Sequence, residues 1–155
     1  MIAVIQRVNS AVLYSDGKYT SEINKGLYIL LGVAKGDDKA DATALAEKIS
    51  KLRIFTDEND KMNLSVKDID GEVMVVSNFT LNANYAHGNR PDYLLAAGPC
   101  EANSLYEFFL SEMGERVRKC ASGVFGSDMR TEMSTDGPVT IVMDSLVLLK
   151  KGAQK

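Results

Sequence analysis

The first 34 residues consist of short β-branched or apolar segments separated by turn residues, which is typical of β-strands. Residues 2–8 and 11–15 are β-branched segments, and Asp16-Gly17 indicates a tight turn before a third strand, Lys18 to Ile23. The run from Gly26 to Ala34 is almost wholly apolar, as expected of a strand that is buried on both faces. The pattern therefore predicts a strand-rich N-terminal region.

Two later segments have helical spacing instead. Asp37-Asp38 offers an N-cap, and apolar residues then recur at helical intervals at Ala42, Leu45, Ala46, Ile49 and Leu52. Pro99 suits the first turn of a second helix. The apolar face of this second helix comprises Ala102, Leu105, Tyr106, Phe109 and Met113.

The remaining segments complete the expected architecture. We predict a polar loop at residues 57–70, a strand from Gly71 to Thr80 and a Gly-rich segment from Gly123 to Met129. The long connection at residues 82–98 is expected to be functional or to be packed by its own side chains. Two strands should lie on either side of Gly137-Pro138. About eight strands and two helices without βαβ alternation predict an α+β fold, in which mostly antiparallel β-sheets form a barrel-like or sandwich domain with the two helices packed on it.

Length and composition limit the class of protein. The 155 residues fit one domain, here residues 1–150, with residues 151–155 expected to be a flexible tail. The net charge of −3 argues against a protein that coats long nucleic acids, but not against one that grips an RNA end. We expect neither a signal peptide nor a membrane span. Cys100 and Cys120 are expected to be reduced thiols of a cytoplasmic protein.

Several kinds of chemistry lack the residues that they require. His87 is the only histidine, so a three-histidine zinc site cannot form within one chain, and there is no HExxH motif. The sequence contains neither a P-loop nor a GxGxxG motif. We therefore expect no metal and no cofactor, and we expect His87 to be an exposed loop residue.

Two short polar segments remain as a candidate site. Ser77-Asn78-Phe79-Thr80 follows an apolar strand, and Gly137-Pro138 is a rigid turn two residues before Thr140. The hydroxyls of Ser77, Thr80 and Thr140 and the backbone N–H groups near Asn78 to Thr80 could hold a developing oxyanion. Taken alone, each segment is more typical of an ordinary strand end or structural turn than of a site, and spacing does not decide whether the two meet.

At these residues the chain resembles the D-aminoacyl-tRNA deacylase family. That family carries a Ser-Gln-x-Thr-Leu segment, matched here from Ser77 to Leu81, and an Asn-x-Gly-Pro-x-Thr segment, matched from Thr135 to Thr140. The resemblance covers essentially the whole chain, including the start MIAVIQRV and residues 25–33, 51–55, 61–65, 88–91 and 123–129. Asn78 replaces the usual Gln, and Thr135 replaces the usual Asn.

The resemblance implies an activity, a partner and an assembly. It implies a cytoplasmic homodimer with active sites at the interface, which hydrolyses the ester between a D-amino acid, or mischarged glycine, and the 3′-terminal adenosine of tRNA. Ser77, Asn78, Phe79 and Thr80 would line the pocket and the oxyanion site, with assistance from the 2′-OH of the RNA. Gly137-Pro138 would be a cis peptide that reaches into the partner's pocket, rejects L-amino acids and is followed by Thr140.

Two alternatives stay open at this point. A sister subfamily carries Thr at the position of Thr135, has a trans Gly-Pro bond and edits L-alanine on threonine tRNA. A non-catalytic module that binds the tRNA end would result if Asn78 disabled the site. For contacts to phosphates we name Arg7, Arg90 and Lys150. The interface is expected to include Met133, Ile141 and Met143, which we expect to be exposed.

Overall fold

The computed structural model describes residues 1–149, so Lys150 and the predicted tail 151–155 lie outside the described residues. The described chain forms eight strands, three helices and one 3₁₀ turn. The strands are β1 (Ile2–Ser15), β2 (Lys18–Ile23), β3 (Gly26–Gly32), β4 (Phe55–Thr56), β5 (Met62–Leu64), β6 (Glu72–Ser77), β7 (Lys119–Ser122) and β8 (Met129–Asp144). The helices are α1 (Lys39–Ser50), α2 (Pro99–Gly114) and the single-turn α3 (Ser145–Leu148), and the 3₁₀ turn is Phe79–Asn82.

The main sheet has six strands and nearly closes into a barrel. Its order is β2-β1-β3-β6-β7, and β8 pairs with the other edge of β1 along almost its full length. The two ends of this order approach each other where Ser21 Oγ donates to Ser122 O (2.9 Å). The predicted α+β, barrel-like fold is thereby confirmed.

Strand boundaries differ from the predictions in three places. Residues 2–15 form one strand, because β1 passes through irregular pairing with β8 near Val8 and Ser10 without breaking. β8 likewise runs continuously through Gly137-Pro138 where two strands were expected. The predicted polar loop 57–70 contains β5, which pairs with β4 in a short hairpin.

The absence of βαβ units was also predicted wrongly. β3 pairs in parallel with β6, and β6 in parallel with β7, because α1 and α2 lie in the connections between them. The first parallel pair is unusually close at its start. A Cβ on Gly26 would lie 1.8 Å from the carbonyl oxygen of Glu72, so only glycine fits there.

Apolar packing lies on both faces of this sheet. α1 and α2 cover one face, and their predicted apolar residues Ala42, Leu45, Ala46, Ile49, Ala102, Leu105, Tyr106, Phe109 and Met113 are all buried there. A second, smaller cluster fills the inner face, with Val8, Leu13, Ile23, Tyr28, Met74 and Val76 among its members. The predicted caps are also confirmed, since Asp38 is the N-cap of α1 and Pro99 begins α2. This double packing fixes the end of β6, where the candidate site lies.

Candidate active site

The end of β6 places the first candidate segment at the surface. The ladder with β3 continues for one more bond, in which Asn78 N–H donates to Leu31 O (2.8 Å), and the chain then turns into the 3₁₀ turn. The predicted strand Gly71 to Thr80 therefore ends early, at Ser77. The Asn78 side chain caps the turn, because its Oδ1 accepts from the Thr80 N–H (3.2 Å) and from the Thr80 hydroxyl.

A cavity of about 520 Å³ opens beside this turn. Ser77, Asn78 and Phe79 form part of its wall, whereas Thr80 lies next to the wall and is tied to Asn78. The other lining residues come from four further segments and are mostly apolar or aromatic: Leu31, Val33, Tyr93, Ala96, Ala97, Pro99, Ala102, Tyr106, Phe125, Gly126, Ser127 and Met129. Among the described residues that line the cavity there is no carboxylate, histidine or cationic side chain.

One backbone donor in this wall is free. The N–H of Asn78 is used by Leu31, and that of Thr80 by Asn78. Within the described chain, the Phe79 N–H has no acceptor. A free N–H in a largely apolar cavity is suited to an oxygen atom that gains negative charge during a reaction.

Aromatic side chains make the rest of the wall rigid. The buried Tyr106 hydroxyl donates to Val75 O (2.8 Å), which joins α2 to β6. Burial is the main cause that raises the pKa of Tyr106, so this hydroxyl stays neutral and acts as a donor. On the opposite side, the rings of Phe79 and Tyr93 meet edge to face with 5.0 Å between their centroids. The cavity is thus shaped for a flat or apolar group.

The second candidate segment does not line this cavity. Gly137, Pro138 and Thr140 are exposed on β8, and the Gly137-Pro138 bond is cis, as expected. Arg7 holds the preceding residue: its Nε lies 3.0 Å from Asp136 Oδ2 and donates to Asp136 O (3.3 Å). The structure thus brings Ser77, Asn78 and Phe79 together but leaves the Gly-Pro turn apart from them within one chain.

Other residues named from the sequence divide into correct and incorrect predictions. His87 is exposed in the long loop, as expected, and Arg90 is exposed there too, so its predicted contact with phosphates stays a prediction. Arg7 was wrongly predicted to meet phosphates, because it is buried and its Nη1 donates to Ile54 O (2.6 Å). Ile141 and Met143 were wrongly expected to be exposed, because both pack partly buried against the core.

The neighbouring positions of β8 do face outward. Met133 is 36% exposed and Val142 is 68% exposed. Alternation along the strand explains why Val142 faces outward between Ile141 and Met143, because side chains at successive positions point to opposite faces. Cys100 and Cys120 are both free thiols, and burial raises the pKa of Cys120 to about 11.

The sequence did not identify Tyr93, Tyr106 and Phe125 as lining residues. Two signals pointed towards them, since the long 82–98 connection contains Tyr93 and the Gly-rich segment contains Phe125.

Within residues 1–149, no group of three or more His, Cys, Asp or Glu side chains is placed to hold a metal ion. None of the helices described is long and apolar enough to cross a membrane.

The chain is similar in sequence to a known protein family and to several of its members. The model of the family described as D-Tyr-tRNA(Tyr) deacylase matches residues 4–144. A D-aminoacyl-tRNA deacylase of Caldicellulosiruptor saccharolyticus is 50% identical over 145 residues, which are 94% of this chain and 97% of the relative. The enzyme of the same name from Flavobacterium johnsoniae is 47% identical over 146 residues, covering 94% of this chain and 97% of the relative.

Solved structures have the same fold. The c-Myc DNA Unwinding Element Binding Protein superposes with a TM-score of 0.88 at 36% identity, covering 93% of this chain and 98% of the other. A structure described as a probable eukaryotic D-amino acid tRNA deacylase gives a TM-score of 0.77 at 14% identity, with 92% and 98% covered. At that identity, the second comparison supports the fold alone.

Proposed function

Because this chain belongs to the D-Tyr-tRNA(Tyr) deacylase family, we propose that it hydrolyses the ester bond between a D-amino acid and the 3′-terminal adenosine of tRNA. The products would be free tRNA and a free D-amino acid. The observation that carries this proposal is the cavity beside the 3₁₀ turn, whose wall contains the free Phe79 N–H. This wall includes part of the Ser77 to Leu81 segment, which resembles a motif of the family.

The chemistry proposed needs no charged side chain of the protein. The ester carbonyl would lie against the Phe79 N–H, which stabilises the oxyanion as water attacks the carbonyl carbon. The carbon–oxygen bond to the ribose then breaks, and the ribose oxygen takes up a proton. Assistance from the neighbouring 2′-OH of the RNA accounts for a cavity without a general base. Ser77 and Thr80 would orient the substrate.

We further propose that the active form is a homodimer. Gly137 and Pro138 are exposed and do not line the cavity of their own chain, so they are available to reach the cavity of a second copy. Arg7 and Asp136 would fix the position of the turn. A rigid carbonyl near the substrate Cα leaves room for hydrogen but not for an L side chain, so D-aminoacyl and glycyl esters would enter. Such an enzyme would act in cytoplasmic proofreading of translation.

A deacylation assay with four substrates tests the activity. The purified protein should release amino acid from D-tyrosyl-tRNA and from glycyl-tRNA, and leave L-tyrosyl-tRNA intact. Preferred turnover of L-alanyl-tRNA would contradict the proposal. It would favour the L-alanine-editing activity of the sister subfamily, which carries Thr at the position of Thr135. Binding of the tRNA without any turnover would instead favour a non-catalytic module.

A further inference from the structure

A small hairpin stands at the rim of the cavity. Within residues 84–92, here called the rim hairpin, Asn84 and Asp92 exchange both backbone hydrogen bonds, at 2.8 and 2.9 Å. Their side chains add a third bond between Asn84 Nδ2 and Asp92 Oδ2 (3.0 Å). These three bonds give the loop a fixed base although its tip is exposed.

Both stems of the rim hairpin connect directly to the cavity wall. The 3₁₀ turn that contains Phe79 precedes it, and Tyr93 follows it at once. The edge-to-face contact between the Phe79 and Tyr93 rings joins the two stems at the wall. The tip therefore projects from the rim of the proposed active site and not from a remote surface.

The tip carries an aromatic ring and a cation that the fold does not use. Tyr85 is 81% exposed, and every residue from Tyr85 to Pro91 is exposed. No acidic residue occurs between Asn84 and Asp92. Arg90 forms no salt bridge or hydrogen bond with any residue from 1 to 149. Neither side chain contributes to packing, so folding alone does not explain this composition.

Two other exposed parts of the rim carry an acidic residue. The first turn of α2, which lines the cavity through Pro99, carries Glu101. The Gly-rich segment, which lines it through Phe125 to Ser127, carries the exposed Asp128. In a chain of net charge −3, the rim hairpin is thus the rim element suited to a polyanion.

We propose that the rim hairpin binds the single-stranded nucleotides that precede the terminal adenosine of the substrate. Tyr85 stacks on an unpaired base, and Arg90 contacts a phosphate of the same strand. An exposed aromatic ring beside an arginine is a usual way for proteins to hold single-stranded RNA without reading its sequence. This inference rests on the proposed function, because it requires the terminal aminoacyl-adenosine to occupy the cavity.

Two substrates of different length test the inference. One is D-tyrosyl-tRNA, and the other is 3′-O-D-tyrosyl-adenosine, which lacks the preceding nucleotides. We expect Tyr85→Ala to lower kcat/KM on D-tyrosyl-tRNA by about ten- to a hundredfold, mainly through KM, because base stacking on an aromatic side chain has about that effect. Arg90→Gln should lower it too, and should flatten its dependence on salt concentration by about 0.7 in the log–log slope. Both variants should hydrolyse the adenosine ester as fast as the unchanged protein does.

Matched controls stand elsewhere on the surface. Tyr19→Ala removes a tyrosine that is 59% exposed on β2, and Lys61→Gln removes an exposed cation in the β4–β5 turn. Both should leave the two activities unchanged. Equal losses on both substrates in Tyr85→Ala and Arg90→Gln, or no loss on either, would overturn the inference while leaving the proposed function intact. If the unchanged protein hydrolyses neither substrate, the proposed function itself is rejected.

Discussion

We propose that the Thr80 hydroxyl orients the substrate and does not act as a nucleophile. It donates to Asn78 Oδ1, which also accepts the N–H of the same residue. We expect Thr80→Ala to lower kcat by about ten- to a hundredfold, far less than the ~10⁶-fold effect of losing a nucleophile. Single-turnover hydrolysis of D-tyrosyl-tRNA measures this. Thr20→Ala, which removes a hydroxyl on β2, is the control and should have no effect.

The side chain of Arg7 is expected to contribute to the stability of the fold. It is buried, donates to Ile54 O and pairs with Asp136. Arg7→Met leaves both acceptors without their donor, so we expect the free energy of unfolding to fall by about 2–4 kcal/mol. Urea unfolding followed by circular dichroism measures this. Lys51→Met breaks a pair between exposed side chains and should not move the midpoint; a similar loss there would contradict the argument.

Single residues of the site were predictable where the cause is local. Ser77, Asn78 and Phe79 follow an apolar strand, and a strand end delivers polar residues to the surface wherever the strand lies in the sheet. The role of Arg7 was not predictable, because its partners are 47 and 129 positions away in the sequence. The lining aromatics Tyr93 and Phe125 likewise meet only through the tertiary fold.

Among the elements, the parallel pair β3–β6 depends on one glycine. A Cβ on Gly26 would lie 1.8 Å from Glu72 O, which is backbone of β6 and has no room to move. We expect Gly26→Ala to prevent normal pairing and to give little soluble, cooperatively unfolding protein, as judged by expression and thermal melting.

Gly98 supplies the control for this prediction. It precedes α2 with a φ of −62°, and nothing lies within 4 Å of where its Cβ would be. Gly98→Ala should therefore fold normally. Normal folding of Gly26→Ala would show that the close approach of the two strands is not required.

Elements were predicted best where one periodicity is sustained. α1, α2 and β2 were found with their caps or turn, because each signal is confined to neighbouring residues. The parallel pairings were missed, since an apolar run such as that of β3 indicates burial on two faces but not the direction of its neighbour. The continuity of β8 was missed because Gly-Pro usually interrupts a ladder, and here it is kept within one strand.

At the scale of the whole molecule, the proposed homodimer has a direct test. We expect light scattering at micromolar concentration to give twice the 16.9 kDa mass of one chain. Met133→Asp, at an exposed position of β8, should lower the mass towards that of one chain and should reduce deacylation with it. A charge buried at an interface without a partner is the physical cause.

The matched control is Met62→Asp, which places the same charge on β5, where Met62 is 59% exposed. It should keep the dimer mass and the activity. A single-chain mass for the unchanged protein, together with full deacylation, would contradict the proposal that a second copy completes the site.

The pairing of β1 with β8 has a consequence for how the protein is made. Ile2 pairs with Asp144, and the register continues to Ser15 opposite Met129. The first strand therefore pairs with almost the last residues of the described chain. During synthesis, one edge of β1 therefore stays open until residues 129–144 have been made. Contacts so distant in sequence slow folding, and an open strand edge invites pairing with other chains. A chain truncated before residue 129 would leave this edge uncovered, so we expect chaperones to bind such fragments or proteases to degrade them.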